Sequence, residues 1–132
     1  MTLSTLSKSL TYPIATITRA DQAWRCSPFQ IPLFGAMVSN SIPLQNIAGD
    51  AGVKAKYTLK AISEARAESN LLWLIKVGIL RREVDGQGIT DSFRLTPLGR
   101  ILLDRWQGQI IPKPSLWEKI INSLNRWLSL PL

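Results

Sequence analysis

Residues 78–100, GILRREVDGQGITDSFRLTPLGR, constrain the fold more than any other part of the sequence. Side chains alternate between two faces along ILRREV and again along SFRLT, as expected for two half-buried strands, and DGQGITD between them is rich in turn residues. Thr96 and Pro97 then provide an N-cap and a proline at the first helical position. The segment therefore predicts a β-hairpin that leads directly into a helix.

Helical segments precede this hairpin. IPLFGAMV, residues 31–38, predicts a first core helix, and Ser41 can cap a short second helix. The glycines of GDAG then predict a tight turn, after which a longer helix begins near Lys54 and runs through Ile62 into LLWLIK. A short helix, a glycine turn and a longer helix form the helix-turn-helix arrangement.

The two ends of the chain lie outside this central domain, which we place at residues 29–107. Residues 1–28 show no sustained period and contain two prolines, which favours a partly flexible arm or a loosely docked strand. Residues 108–114 form a linker with two prolines. Residues 115–130 predict an amphipathic helix, because apolar side chains recur there at helical spacing. Those side chains are Leu116, Trp117, Ile120, Ile121, Leu124, Trp127 and Leu128.

The order of these elements and two stretches of sequence resemble winged-helix bacterial transcription regulators. IPLQNIAGDAGV is similar to the first half of their helix-turn-helix, and LLWLIKVGILRREVDGQGITDSFRLTPLGRILL to their helix end, wing and following helix. The resemblance covers residues 41–103, and it implies a mostly α fold with a β-hairpin wing (α+β). The expected architecture is a winged helix-turn-helix with an N-terminal arm and a C-terminal amphipathic helix. The 25 residues from Val53 to Gly78 exceed what a compact recognition helix needs, so this helix either is unusually long or breaks near Asn70.

The composition narrows the function. The chain has 16 basic and nine acidic residues, hence a net charge of +7 and a pI of about 10.1, which favours nucleic acid or an acidic membrane surface as partner. It has no histidine, its acidic residues are scattered, and no glycine loop suits a phosphate, so we expect no enzymatic activity, no metal and no cofactor. The single cysteine, Cys26, excludes an internal disulfide and fits a reducing, cytoplasmic location.

A winged helix that binds DNA places the start of its second helix in the major groove and its wing on the backbone or minor groove. The resemblance puts Lys54, Lys56, Tyr57 and Lys60 at that helix start, where three lysines without an acidic residue favour phosphate contact over base readout. An ordinary solvated face is the alternative. The wing is neutral overall, so we expect only secondary DNA contacts from its arginines. These are Arg81, Arg82 and Arg94.

The C-terminal helix allows a second class of function. It can pack on the domain, join two copies into a homodimer, which we favour, or lie on a membrane surface, because Trp117 and Trp127 lie among leucines. The sequence thus predicts a transcription regulator that binds double-stranded DNA as a homodimer. The competing prediction is an interaction module that docks through this helix on a protein complex or a membrane and never contacts DNA. A steep loss of binding with ionic strength would favour the regulator.

Overall fold

The computed structural model describes residues 12–128, which form an α+β fold with seven helices and one three-stranded antiparallel sheet. The α+β class expected from the sequence is therefore confirmed. The elements in chain order are α1 Ile14–Cys26, α2 Ile31–Ala36, β1 Ile42–Pro43, α3 Leu44–Ile47, α4 Gly49–Lys54, α5 Glu64–Lys76, β2 Leu80–Asp85, β3 Gly88–Leu95, α6 Pro97–Trp106 and α7 Leu116–Leu128.

The sheet is built around the predicted hairpin, which is confirmed. β2 and β3 pair from Leu80↔Leu95 to the turn at residues 86–87, and the register shifts after Arg82, as at a β-bulge. The two-residue strand β1 pairs with the other edge of β3, opposite Phe93, so that β3 is the central strand. Because Phe93 is fully buried, this central position fixes one face of the sheet against the core.

The joint between the hairpin and α6 explains the sequence LTPLG. Thr96 Oγ1 donates to the carbonyl oxygens of Gly78 and Ile79, the latter at 2.9 Å, and accepts from the Gly99 backbone N–H at 3.0 Å, which caps α6 as predicted. A Cβ at Gly99 would lie 2.4 Å from the carbonyl oxygen of Ile79 and 2.6 Å from a methyl group of Leu95. Glycine therefore allows α6 to approach the hairpin closely.

A single hydrophobic cluster joins the helices to the sheet, and α1 belongs to it. Trp24 is 2% exposed, and its indole stacks on the ring of Phe34 with the centroids 3.7 Å apart. Ala20 and Ala23 complete the buried stripe of α1. The predicted arm or loosely docked strand is therefore wrong over α1, because one tryptophan and two small residues at helical spacing are enough to bury one side of a helix. Residues 1–11 of the predicted arm lie outside the described residues.

The chain between α4 and α5 departs from the predicted long helix. α4 ends at Lys54, residues 55–63 are not helical, and α5 begins only after Ser63, whose hydroxyl accepts the hydrogen bond that caps it. The predicted helix start near Lys54 is therefore wrong. Neither alternative for an over-long helix holds, since α5 also runs through Asn70 without a break.

Tertiary contacts explain this departure. GDAG forms the start of α4 rather than the predicted turn, and its Gly52 packs tightly against α3, since a Cβ there would lie 1.9 Å from the carbonyl oxygen of Ile47. Beyond α4, the Tyr57 N–H donates to the Gly52 carbonyl at 2.8 Å and the Gln30 N–H donates to the Tyr57 carbonyl at 2.9 Å. Thr58, 3% exposed, pairs with the residue before Gln30 as an isolated β-bridge. These contacts hold the segment beside the start of α2.

Candidate functional site

The three lysines of the predicted DNA contact lie in the segment that joins α4 to α5. Lys54 ends α4, Lys56 has a φ of 65°, and Lys60 follows in the non-helical stretch; all three are exposed. Tyr57, expected beside them, is half-buried and packs against the core. We call residues 54–60 the lysine turn. The helix start on which Lys56 and Lys60 were expected does not form there, because neither residue is helical.

The hairpin arginines are largely engaged within the hairpin. Arg82 lies 3.9 Å from the Asp91 carboxylate, and Arg94 lies 3.5 Å from the Glu83 carboxylate. Arg81 is exposed. Two of the three expected secondary DNA contacts are therefore paired with carboxylates of the same hairpin, which weakens their attraction for phosphate.

α5 is the long helix that the sequence placed too early, and its charges are balanced. Glu64 and Glu68 oppose Arg66 and Lys76, all on sides of the helix that solvent reaches. Another side of α5 is covered by α7, as described below. A neutral and partly covered helix offers little attraction to a nucleic-acid backbone.

α7 is attached to the body through its polar side. The guanidinium of Arg25 in α1 donates two hydrogen bonds to the Glu118 carboxylate, one of them from Nη1 to Oε1 at 3.1 Å, while its Nε donates to Asp21 at 3.0 Å. The hydrogen bonds from Arg25 lower the pKa of Glu118 to about 2, and the pairing with Glu118 raises the pKa of Arg25. Both partners are therefore fully charged around neutral pH.

Two further contacts fix α7 on α5. The indole N–H of Trp73 donates to Asn122 Oδ1 at 3.0 Å, and Arg126 donates to Asn70 Oδ1 at 3.1 Å and to Ser69 Oγ at 2.6 Å. Burial in this contact lowers the pKa of Arg126. The polar residues of α7 that meet the body recur every four positions. We call them the inner row: Glu118, Asn122 and Arg126.

Sequence reasoning missed the signals that build this attachment. In SLWE, the Glu118 N–H donates to Ser115 Oγ and the Ser115 N–H donates to Glu118 Oε1, both at 3.1 Å, which is a capping box. In DQAWR, Asp21 and Arg25 lie four residues apart on α1, a spacing that favours an ion pair. Asp21 also accepts a hydrogen bond from the Trp106 indole at 2.7 Å. This pair of residues therefore joins α1 to both α6 and α7.

The apolar side of α7 faces away from the body. Trp117 is 68% exposed and Trp127 is 70% exposed, and a shallow groove of about 460 Å³ runs beside Trp127 and Lys119. Ile121 is half-buried, so it lies at the border of the apolar side rather than at its centre. We call the exposed apolar residues of α7 the outer face. They are Leu116, Trp117, Ile120, Leu124, Trp127 and Leu128.

Three further observations on the described residues concern metal binding, the Cys26 thiol and membrane-spanning helices. Among residues 12–128, no three His, Cys, Asp or Glu side chains are grouped closely enough to hold a metal ion. Burial raises the pKa of the Cys26 thiol, and the nearby charge of Arg25 only partly opposes this. None of the helices in this part of the chain combines the length and the apolar character required to cross a membrane.

Comparison with known proteins identifies a family. The chain belongs to the Npun_F0494-like family, whose sequence model matches residues 10–126. No curated protein and no solved structure matches the chain significantly. The matched residues include the lysine turn, the hairpin and α7 as far as Arg126. The lysine turn therefore lies entirely within the matched residues, whereas Trp127 and Leu128 of α7 lie just beyond them.

Proposed function

We propose that this member of the Npun_F0494-like family is a winged-helix docking module without enzymatic activity, which attaches to a partner surface through the outer face of α7. One observation carries the proposal: α7 uses its polar side to join the body and presents its apolar side to solvent. An amphipathic helix on a globular protein ordinarily buries its apolar side against the core and exposes its polar side to solvent.

The order and pairing of the elements support the winged-helix part of the proposal. α2, β1, the short pair α3 and α4, α5 and the β2–β3 hairpin follow one another as in that fold. The sheet order β1-β3-β2 places the hairpin beside the short first strand. In this assignment α5 is the second helix of the helix-turn-helix and the hairpin is the wing.

The exposed apolar area of α7 is large enough to drive docking. Trp117 and Trp127 together expose roughly 200–350 Å², since a tryptophan buries about 150–250 Å² when fully covered. Covering this area is worth roughly 5–9 kcal/mol at about 25 cal/mol per Å², before the cost of association is subtracted. Contiguous apolar patches of this size on a soluble protein commonly mark interaction sites.

The contacts of the inner row explain why α7 does not turn over to bury its own apolar side. Rotating the helix would leave the Arg25 guanidinium, which is 10% exposed, without its Glu118 partner. It would also remove the acceptor of the Trp73 indole N–H. A buried cation that loses one of its two carboxylate partners, or a buried donor that loses its acceptor, destabilises the fold. The outer face is therefore held outward by the polar requirements of α1 and α5.

The docking proposal is tested by replacing three outer-face residues in the variant Trp117→Ser/Leu124→Ser/Trp127→Ser. The matched control, Leu59→Ser/Val84→Ser/Ile89→Ser, removes three exposed apolar side chains from other elements. Sedimentation equilibrium measures the mass of each protein over a concentration series, alone and with neutral dodecyl maltoside micelles. We expect the wild type and the control to self-associate or bind micelles and the outer-face variant to do neither. Identical masses for wild type and outer-face variant would contradict the proposal.

DNA binding through the lysine turn is the second candidate function. It is supported by three exposed lysines within residues 54–60, by the absence of an acidic residue there, and by the net charge of +7. The neutral α5 and the paired hairpin arginines leave this turn as the main basic contact, so binding would read phosphates rather than base sequence.

Duplex binding across a salt series tests this second candidate. Lys54→Ala/Lys56→Ala/Lys60→Ala should lower the salt slope by roughly 2–3, since each phosphate contact contributes about 0.9. The matched control Lys76→Ala/Lys113→Ala/Lys119→Ala removes the same charge elsewhere and should leave the slope nearly unchanged. Equal loss in both variants would show that binding follows net charge alone, and no binding at low salt would exclude the candidate.

A further inference from the structure

We infer that the surface contacted by the outer face of α7 is an anionic lipid bilayer, on which α7 lies parallel to the membrane plane. The inference rests on the proposed docking function and names its partner. The charge of Lys119 beside the outer face and the positions of the two tryptophans favour a bilayer over a second copy of the chain.

The charges around α7 that remain available are positive. Residues 107–128 contain three basic residues and one acidic residue, a net charge of +2. The acidic residue is Glu118, which Arg25 holds on the body side of the helix. Lys119 lines the groove beside Trp127, and Lys113 is exposed just before α7. An apolar face bordered by Lys119, with Lys113 three residues before the helix and no free carboxylate on it, complements anionic headgroups above acyl chains.

The tryptophans are placed as expected for a helix at a membrane surface. α7 has 13 residues and is therefore about 20 Å long, and Trp117 and Trp127 are ten positions, about 15 Å, apart. Indole rings favour the boundary between headgroups and acyl chains because one edge is polar and the rest apolar. Since the inner row already has its partners in the body, α7 can lower its outer face into this boundary without breaking the contacts of the inner row.

A second copy of the chain fits the outer face less well. Two copies would each bring a net charge of +7, and their paired α7 helices would offer no free carboxylate to Lys119. The contact would also be limited to one helix about 20 Å long, whereas stable interfaces commonly bury about 800 Å² per partner. Charge and area therefore both favour an anionic surface over a homodimer.

The experiment measures binding of the full chain to vesicles of pure phosphatidylcholine and to vesicles of phosphatidylcholine that also contain the anionic lipid phosphatidylglycerol. Bound protein is separated by sedimentation of the vesicles. We expect the wild type to bind the anionic vesicles at least tenfold more tightly than the neutral ones. Lys113→Gln/Lys119→Gln should weaken that binding roughly ten- to thirtyfold, because each basic residue near the surface contributes roughly three- to fivefold. The matched control Lys54→Gln/Lys60→Gln removes the same charge from the lysine turn and should change it less than threefold.

The possible outcomes distinguish failure of the anionic-lipid inference from failure of the proposed docking function. Equal affinity for both vesicle types, or equal losses in the two lysine variants, would overturn the anionic lipid while docking through the outer face stands. Self-association without vesicle binding would make a second copy the occupant, and micelle binding alone would leave a protein partner; both overturn the inference. Failure to bind vesicles, micelles or itself would overturn the proposed function as well. All four substituted lysines are exposed, and circular dichroism verifies that the variants are folded.

Discussion

α6 and α7 are both amphipathic helices, yet they attach to the body by opposite sides. α6 buries its apolar stripe, in which Leu102 is inaccessible to solvent, whereas α7 attaches through its inner row and leaves the outer face exposed. The body explains the difference. Beside the hairpin it offers α6 apolar side chains, while α1 and α5 offer α7 a guanidinium and an indole N–H, which require polar partners. An amphipathic sequence therefore defines two faces, and the neighbouring elements decide which of them docks.

Matched leucine truncations should give the largest contrast between the two helices. Leu102→Ala should lower the free energy of unfolding by about 2–5 kcal/mol, because a fully buried leucine leaves a cavity. Leu124→Ala, on the outer face, should change it by less than about 0.5 kcal/mol. Urea unfolding followed by circular dichroism measures both. Equal losses would mean that the outer face is buried in the isolated protein, and the contrast between the helices would fail.

Removing the cap of α6 should have an intermediate effect. Thr96→Val keeps the shape of the side chain and removes the hydroxyl that bonds Ile79 and Gly99, so the free energy of unfolding should fall by about 1–2 kcal/mol. The exposed Thr18→Val on α1 is the matched control, with a change below about 0.5 kcal/mol. The same urea titration measures both variants. A Thr96→Val protein as stable as the control would show that α6 is held by its apolar stripe alone.

The smallest effect is expected in acid and is confined to α7. Because hydrogen bonds from Arg25 lower the pKa of Glu118 from 4.5 to about 2, the ionised carboxylate favours the attached helix. Its contribution is complete above about pH 4.5 and is lost as the pH falls through about 2. The NMR signal of the Trp73 indole N–H, which bonds Asn122, should report this detachment while core methyl signals stay in place.

Glu118→Gln provides the control for the acid prediction, because an amide does not titrate. In that variant the Trp73 indole signal should no longer change between pH 4.5 and 2. Detachment of the wild-type α7 between pH 5 and 7 would be inconsistent with the Arg25–Glu118 pairing, since a carboxylate with a lowered pKa remains ionised throughout that range.

Local chemistry explains which parts of the fold could be predicted from the sequence. The hairpin and the start of α6 were predictable because alternation, turn residues and the Thr96–Pro97 cap act within a few neighbouring positions. The segment after α4 was not, because its path is set by contacts distant in sequence, such as the hydrogen bond from Gln30 to Tyr57. α1 was missed for a related reason: its burial depends on the stacking of Trp24 on Phe34 from another helix.

The structure of the candidate sites also depends on contacts between residues that are distant in sequence. The sequence singled out the three lysines and the apolar residues of α7, but it placed the lysines on a helix that does not form there. It also left open whether the apolar side of α7 packs on the body or points outward. That orientation depends on Arg25 and Trp73, which lie far from α7 in the sequence and meet it only in the folded chain.

The double role of Glu118 links the formation of α7 to its attachment. The same carboxylate closes the capping box with Ser115 and pairs with Arg25, so the first turn of the helix and its anchor stabilise each other. Many amphipathic peptides fold only when they meet their target, and ordering each residue then costs roughly 1–2 kcal/mol of the binding free energy. In this protein the chain meets that entropic cost when it folds. α7 is therefore preorganised, and more of the free energy gained by covering its outer face remains available as affinity.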